Sequence, residues 1–209
     1  MLRFGNFIPN TSRVSIHHTA KVYGSRLDGD INIGEGSMVA RCELYGKIDI
    51  GRYSSLNGPN TDIVADGGKV TIGQFCSIAR NVSMQVSNHV MTRATTYPIF
   101  KNLFEEENEG EFISKGNISI GNDVWIGAHA LILSGAKIND GAIIAANSVV
   151  AGEIAAYAIA AGSPAKVIKY RFNQQVINEL LNKQWWDWPI EKIKTKKKFF
   201  ERNLQEPND

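Results

Sequence analysis

A six-residue period between residues 118 and 152 is the feature that most limits how this chain can fold. An aliphatic side chain occupies every sixth position. Four positions after each of the first five aliphatic residues lies another inward candidate, which is small in all but one case. The aliphatic residues are Ile120, Ile126, Ile132, Ile138, Ile144 and Val150, and the residues that follow them are Val124, Ala130, Ala136, Ala142 and Ser148. This period fits neither an amphipathic helix, which repeats about every 3.6 residues, nor one alternating strand.

Short strands separated by bends explain the period, because each strand then points one aliphatic residue into a shared interior. Three such units, about 18 residues, close one turn of a parallel β-helix, whose turns bury their aliphatic residues only by stacking. The period extends upstream, in the same frame and in shifted frames, through Ile72, Ile78, Met84, Ile50, Leu56, Leu27, Ile33, Val39, Ile16 and Val22. We predict one stack over roughly residues 14–168; the alternative is a β-sandwich with coincidental spacing.

The frame breaks after Met84 and resumes at Ile120, which predicts one excursion loop over residues 87–116. Long excursions from a rigid scaffold often carry function. This loop contains aromatic residues suited to hold it against the solenoid, and acidic residues that we expect to form a solvated face. The aromatic residues are Tyr97, Phe100 and Phe104, and the acidic residues are Glu105, Glu106, Glu107, Glu109 and Glu111.

Beyond Pro164 the apolar residues recur at helical spacing. They predict a helix near residues 172–184, and Pro189 is suited to open a second helix that runs to about residue 200. We therefore divide the chain into a β-helix of residues 1–168 and a helical cap of residues 169–209 that covers the open end of the stack. The lysines at positions 192, 194, 196, 197 and 198 are expected to form a solvated face.

His89 is the strongest candidate for a catalytic group, because it lies where the repeat gives way to the excursion, between Asn88 and Tyr97. An imidazole is well suited to take a proton from a hydroxyl or an amine near neutral pH. The other histidines are weaker candidates. We expect His17 and His18 at the surface, and His129 facing outward or toward a neighbouring subunit.

Several other kinds of site are disfavoured. Cys42 and Cys76 are too few for a disulfide framework, and Cys76 occupies a small inward position of the repeat, where a thiol packs as a small hydrophobe. No histidine or cysteine pair has zinc-ligand spacing, so we expect no metal. The net charge of +2 does not suggest binding to nucleic acid. No apolar run approaches the roughly 18 residues of a membrane span, so we expect a soluble, cytoplasmic protein.

Several motifs in the second half of the chain occur together in one enzyme family. They are IGQFCSIA at 72–79, NHVMTRATTYPIF at 88–100, IGNDVWIG at 120–127, ANSVV at 146–150, AGSPAK at 161–166, RF at 171–172 and WWDW at 185–188. The chain thereby resembles the hexapeptide-repeat acyltransferases, and within them the xenobiotic acetyltransferase branch of streptogramin, type-B chloramphenicol and polysaccharide-cluster sugar acetyltransferases. The resemblance implies an all-β fold, a left-handed parallel β-helix, and a C3 homotrimer with each site between two subunits.

The resemblance also implies roles for individual residues. His89 matches the general base, which would activate the acceptor for direct attack on the thioester of acetyl-CoA. The positions that match the acetyl-CoA groove are Trp125, Gly127, Ala128, Ala146, Ala151, Gly152, Lys166 and Lys169. Acceptor contacts are expected from Tyr53, Asn60, Asp66, Asn88 and Tyr97. Backbone N–H groups near Gly127 and Ala128 are candidates for stabilising the oxyanion.

The leading function is therefore acetyl transfer to a hydroxyl of a sugar or related small molecule. An N-acetyltransferase of a nucleotide-linked amino sugar and an antibiotic O-acetyltransferase remain alternatives. The segment Val90–Arg93 replaces the basic residue and Met-Asp-Gly of the antibiotic-inactivating members, and the N-terminal coils are longer; both differences favour a sugar. A γ-type carbonic anhydrase would need three zinc histidines including a close pair, and this chain lacks such a set. An ice-binding scaffold would need flat, repeated threonine faces, which this chain lacks as well.

Overall fold

The computed structural model describes residues 5–106 and 110–204, and they form a three-sided parallel β-solenoid with a helical C-terminal segment. Glu107 and Glu109 of the predicted acidic face lie outside the described residues, as do the first four and last five residues of the two predicted domains. The solenoid strands before the excursion are β1 (Arg13–Ile16), β2 (Lys21–Tyr23), β3 (Arg26–Ile33), β4 (Met38–Ile50), β5 (Ser55–Ile72), β6 (Ser77–Ile78) and β7 (Ser83–Gln85). The excursion itself carries β8 (Asn88–His89) and β9 (Phe112–Ile113). After it come β10 (Ile118–Ile120), β11 (Trp125–Ile126), β12 (Leu131–Leu133), β13 (Lys137–Ile138), β14 (Ile143–Ile144), β15 (Val149–Val150), β16 (Glu153–Ile154), β17 (Ala158–Gly162) and β18 (Ala165–Tyr170).

The six-residue period is confirmed as the repeat of the solenoid. Ser119 pairs with Lys137, and Trp125 pairs with Ile143, so three units of the period make one turn in this part of the chain. All six aliphatic residues of the period and all five residues that follow them are buried. Each coil covers the interior of the next, and one continuous hydrophobic core results.

The three sides of the solenoid define three corners that position the site. The first face carries β10, β13 and β16, the second face carries β6, β11, β14 and β17, and the third face carries β7, β12 and β15. The first corner, between the first and second faces, contains residues 51–54, 73–76, 121–124 and 139–142. The second corner contains residues 58–60, 79–82, 127–130 and 145–148. The third corner contains residues 65–68, 134–136 and 151–152, and the excursion leaves from it.

The excursion is an insertion into one coil at the third corner. Thr71 pairs with Ser119 of the next turn, and Ser119 in turn pairs with Lys137. The segment between Thr71 and Ser119 is much longer than the segment between Ser119 and Lys137, because it contains the excursion as well as one regular turn. At the base of the excursion, β8 pairs antiparallel with β9. A short helix, α1 (Ile99–Asn102), lies within it.

Glu111 departs from the predicted solvated face. Its side chain is buried, and its carboxylate accepts hydrogen bonds from the backbone N–H groups of Phe100 at 2.7 Å and Lys101 at 3.1 Å. These N–H groups have no acceptor within α1, because the first turn of any helix leaves its donors unpaired. Glu111 therefore stabilises the start of α1, whereas Glu105 and Glu106 are exposed as predicted.

The C-terminal segment runs along the first corner of the solenoid. It contains α2 (Gln174–Lys183), a 3-10 turn (Trp185–Asp187), α3 (Ile190–Thr195) and α4 (Lys197–Glu201). Polar groups of the corner hold it: Arg171 Nη1 donates to Asp123 Oδ2 at 2.9 Å, and Arg52 Nη2 donates to the Trp188 carbonyl at 2.6 Å. The predicted second helix breaks at Lys196, which separates α3 from α4. Strand β18 turns back antiparallel along β17 at the open end.

Candidate active site

His89 lies at the base of the excursion, where the pairing of β8 with β9 fixes its backbone. Its Nδ1 lies 2.8 Å from the carbonyl oxygen of Thr96, and its ring lies 5.2 Å from that of Phe112. A carbonyl oxygen only accepts hydrogen bonds, so Nδ1 carries a proton in this contact, and in the neutral imidazole Nε2 is the basic nitrogen. This is the tautomer that a general base acting through Nε2 requires.

A cavity of about 230 Å³ adjoins His89 at the third corner. Its lining also includes Asn88, Lys115, Ser134 and Ala151. Asn88 is fixed by a hydrogen bond of 2.9 Å from its Nδ2 to Ser134 Oγ, which is buried. The predicted residues Asn88, His89 and Ala151 are therefore brought together, and Gly152 lies beside Ala151 at the same corner.

Most of the other residues expected in the acetyl-CoA groove lie at the second corner and on the second face. Gly127, Ala128 and Ala146 stack at the corner, where a Cβ added to Gly127 would lie 2.6 Å from the Ala146 nitrogen. Trp125 is 54% exposed on β11, on the adjacent second face. Gly127, Ala128 and Ala146 themselves carry little or no side chain, so a thin ligand can lie against these three positions.

Lys166 and Lys169 lie on β18, at the end of the second face that is furthest along the chain. Lys166 is paired with Ala161, and Lys169 is paired with Ile159. Both lysines are exposed. They lie on the side of the solenoid that carries Trp125, whereas His89 lies at the third corner.

The predicted acceptor contacts are dispersed. Tyr53 lies at the first corner, where its ring stacks on Phe75 and its hydroxyl donates to Glu35 at 3.1 Å; the structure does not bring it to His89. Tyr53 is distant from His89 because it lies on the first corner, along which the C-terminal segment runs, whereas His89 lies at the third corner. Asn60 lies at the second corner, Asp66 lies at the third corner, and Tyr97 lies in the excursion next to Thr96.

Sequence reasoning missed the partners that orient the candidate residues. Thr96 acts through a backbone carbonyl, which no side-chain pattern reveals, and Ser134 lies outside the six-residue frame. A polar ladder at the second corner was also missed: Asn60 Nδ2 donates to Asn81 Oδ1 at 3.0 Å, and Asn81 Nδ2 lies 3.2 Å from His129 Nε2. His129 itself is exposed, as predicted.

The two cysteines are free thiols in the core. Burial raises the pKa of Cys42 and of Cys76 to about 12. Cys76 packs as the small inward residue that the repeat predicts, because its side chain is almost fully buried. Neither thiol is suited to nucleophilic catalysis at neutral pH.

Among residues 5–106 and 110–204, no group of three histidine, cysteine or acidic side chains is close enough to hold a metal ion. No helix in the described part of the chain has the length and apolar character needed to cross a membrane.

Comparisons with known proteins agree with the fold and its repeat. A family described as bacterial transferase hexapeptide (six repeats) matches residues 117–152. A chloramphenicol acetyltransferase of Morganella morganii is 39% identical over 184 residues, which cover 77% of this chain and 85% of that protein. A probable macrolide acetyltransferase of Lysinibacillus sphaericus is 46% identical over 133 residues, which cover 61% of this chain and 74% of that protein.

A solved structure shares the fold at low sequence identity. The hexapeptide transferase family protein from Anaplasma phagocytophilum matches with a TM-score of 0.58 and 18% identity, over 85% of this chain and 89% of that one. The similarity to the Morganella morganii enzyme covers most of both chains and exceeds one third identity. This chain therefore belongs to the hexapeptide-repeat acetyltransferases, in the branch that contains chloramphenicol acetyltransferases.

Proposed function

We propose that this protein transfers the acetyl group of acetyl-CoA directly to a hydroxyl of a small molecule, with His89 as the general base. The observation that carries the proposal is the 2.8 Å contact of His89 Nδ1 with the Thr96 carbonyl, beside a cavity of about 230 Å³. This contact makes Nδ1 a fixed donor, so in the neutral imidazole Nε2 is the nitrogen that can accept a proton.

The reaction needs no covalent enzyme intermediate. His89 Nε2 takes the proton of the acceptor hydroxyl as its oxygen attacks the thioester carbonyl carbon. The tetrahedral intermediate collapses by breaking the carbon–sulfur bond, and the departing CoA thiolate takes the proton from the His89 imidazolium. The products are an acetyl ester and free CoA.

The negative oxygen of the intermediate requires a hydrogen-bond donor. Of the two candidate backbone groups, the Gly127 N–H is already used, because it donates to the Ile144 carbonyl at 2.8 Å. The Ala128 N–H makes no hydrogen bond within the described residues. We propose Ala128 as the donor.

Acetyl-CoA is the co-substrate, and we propose that it lies along the second corner. The stacked small residues Gly127, Ala128 and Ala146 support this assignment, since bulky side chains there would exclude a pantetheine arm. Lys166 and Lys169 are exposed and suited to contact its phosphates. Trp125 supplies an exposed aromatic wall on the adjoining face.

We propose a C3 homotrimer, because the solenoid of one subunit carries the two halves of this site on different corners. His89, Asn88 and Ala151 belong to the third corner, whereas Ala128 and Ala146 belong to the second. Rotational symmetry would bring the third corner of one subunit against the second corner of its neighbour. The oligomeric state can be measured by light scattering during gel filtration.

Complementation tests the shared site. His89→Ala and Ala146→Trp each inactivate one half, so a mixed oligomer would regain intact sites from one wild-type half of each subunit. Random mixing of equal amounts should restore about a quarter of the wild-type activity. A mixture that stays inactive would mean that each site lies within one subunit.

The acceptor is proposed to be a hydroxylated sugar or antibiotic. The chloramphenicol and macrolide names of the relatives bring antibiotics forward, while the segment Val90–Arg93 favours a sugar. An amino sugar as N-acceptor is the nearest variant, because the same base can take a proton from an amine. The reaction is proposed to take place in the cytoplasm, which the two unpaired thiols support.

Release of free thiol from acetyl-CoA is the direct test. The purified protein should release CoA only in the presence of an acceptor, drawn from a panel of chloramphenicol, macrolides, neutral sugars and nucleotide-linked amino sugars. Absence of acceptor-dependent release across the panel would contradict the proposal. Stoichiometric zinc with hydration of carbon dioxide would instead support a carbonic anhydrase.

A further inference from the structure

We infer that the third corner holds a second binding region beside the His89 cavity, which takes the remote part of an elongated, neutral saccharide acceptor. The inference rests on the proposed function, because it places the reacting hydroxyl at His89. The region, called here the glycan groove, has a volume of about 910 Å³ and is lined by Tyr45, Gly46, Lys47, Asp66, Gly67 and Asn117, among others.

The glycan groove adjoins the His89 cavity through the segment that returns from the excursion. Lys115 lines the cavity, and Asn117 lines the groove. Asn117 is anchored there, because its Oδ1 accepts a hydrogen bond of 2.9 Å from the Lys69 N–H. The cavity and the groove therefore lie one after the other along the third corner, and one long molecule can occupy both.

Size separates the two spaces. The His89 cavity of about 230 Å³ is smaller than the roughly 300–1,000 Å³ of sites for drug-sized ligands. The groove of about 910 Å³ is within that range. The cavity suits a single reacting unit, and an acceptor of several units would extend into the groove.

The charges of the groove favour a neutral ligand. Asp28 is paired with Arg26 at 2.8 Å, and Lys69 is paired with Asp49. The hydrogen bond from Lys69 holds the pKa of Asp49 below its usual range, so this pair stays ionised. One cation and one anion are left, since the side chains of Lys47 and Asp66 make no hydrogen bond or ion pair within residues 5–106 and 110–204.

A saccharide matches this lining better than a nucleotide does. Its hydroxyls can donate to the Asp66 carboxylate and accept from the Lys47 ammonium group, so both groups are used. A phosphate would gain from Lys47 but be repelled by Asp66, which leaves it no net electrostatic advantage. This chemistry separates the sugar acceptors of the proposed function from nucleotide-linked sugars. It also predicts that a longer acceptor is preferred to a single ring.

Tyr45 supplies the apolar surface that a sugar ring needs. Its hydroxyl donates to Glu43 Oε2 at 2.7 Å, and the Arg26 guanidinium lies 5.4 Å from its ring centre, so the ring is held in place. A fixed aromatic ring next to polar groups suits the apolar face of a pyranose. The groove therefore combines this ring with the Lys47 ammonium group and the Asp66 carboxylate.

Gly67 offers a way to fill the groove without disturbing the fold. Its φ is +72°, and a Cβ added there meets no atom within 4 Å. Asparagine tolerates this left-handed backbone better than other residues with a side chain. The variant Gly67→Asn should therefore fold and place an amide in the groove, while Tyr45→Ala removes the ring.

Calorimetric titration without acetyl-CoA tests binding directly. The probes are glucose- and galactose-based monosaccharides, disaccharides and trisaccharides, with UDP-glucose for comparison. The affinity should rise about tenfold from monosaccharide to trisaccharide, and UDP-glucose should bind no better than a monosaccharide. Tyr45→Ala and Gly67→Asn should both remove the gain, while the control Tyr23→Ala, which changes an exposed tyrosine on β2, should retain it.

Two outcomes would overturn the glycan groove: trisaccharides that bind no better than monosaccharides, or a gain that survives both groove variants. Thiol release from acetyl-CoA separates this result from the proposed function. If small acceptors are acetylated but length brings no gain, the groove assignment is wrong and the activity stands. If Tyr45-dependent saccharide binding is found but no acceptor is acetylated, the proposed activity is wrong and the groove stands.

Discussion

The Nδ1 atom of His89 and the carbonyl oxygen of Thr96 lie 2.8 Å apart, although the two residues are seven positions apart in sequence. The contact ties the orientation and the tautomer of the imidazole to the conformation of the excursion. An excursion that moves away from the solenoid would release the ring. The proposed role of His89 as general base therefore requires the excursion to keep this position.

Replacing His89 with alanine should lower kcat by about two to four orders of magnitude, because the acceptor hydroxyl loses its proton acceptor. Acetyl-CoA should still bind with nearly wild-type affinity in calorimetry, since the proposed groove for it lies at the second corner. His18→Ala, which removes an exposed histidine, is the control. A rate close to wild type in His89→Ala would show that another group is the base.

Replacing Glu111 with alanine should loosen the excursion. The N–H groups of Phe100 and Lys101 lose their acceptor, and their amide hydrogens should exchange about tenfold faster or more. Hydrogen exchange with mass spectrometry measures this, and Glu106→Ala is the matched control on the exposed side of the same loop. Unchanged exchange at α1 would contradict the capping role of Glu111.

Replacing Lys166 or Lys169 with alanine should raise the KM for acetyl-CoA by about three- to tenfold, with a smaller effect on kcat. The reason is the loss of a charge that we propose to contact a phosphate, so the effect should shrink as salt is added. Lys21→Ala, on the exposed part of β2, provides the comparison. A loss confined to kcat would rule out a phosphate contact.

Replacing Arg52 with alanine should destabilise the fold by about 1–3 kcal/mol, because the carbonyl groups of Trp186 and Trp188 lose their donor. Urea unfolding followed by tryptophan fluorescence measures the change. Arg13→Ala provides the control, since its ion pair with Asp30 is exposed. Equal stability of the two variants would mean that the Arg52 contacts contribute little.

Both thiols should resist labelling in the folded protein at pH 8, because their pKa is raised by burial to about 12. A thiol reagent should react with two groups only after denaturation. The same shift predicts a pH effect on stability. The thiols ionise from about pH 9 in the unfolded chain but only near pH 12 in the folded chain. Their contribution to the free energy of unfolding is therefore complete below about pH 9 and declines as the pH rises toward 12. Rapid labelling of either thiol in the native state would contradict this burial.

The coil stack could be predicted from sequence because its cause is periodic. Each of the residues Ile120 to Val150 in the six-residue frame meets the same interior, so position alone decides burial. The place of the excursion could be predicted as well, because the frame breaks after Met84 and resumes at Ile120. Even Cys76, a polarisable residue among aliphatic ones, was assigned to its inward position by the frame.

The contacts made outside the frame could not be predicted in this way. Glu111 looked like its neighbours Glu105 and Glu106, yet only the path of the loop brings it to the start of α1. Tyr53 is a similar case, because its contact with Phe75 and the course of the C-terminal segment depend on packing between distant parts of the chain. Such contacts join residues with no common period, and a single sequence contains no record of them.

The course of the C-terminal segment changes how a solenoid of this kind can come apart. A stack in which each turn touches only its neighbours can fray from either end, one turn at a time. Here Arg52, Gln74 and Asp123, which belong to three separate turns, are all bonded to residues 171–188. Opening the turn of Arg52 must therefore also break its bonds to a segment that is bonded to two later turns, so we expect these three turns to unfold together rather than one at a time.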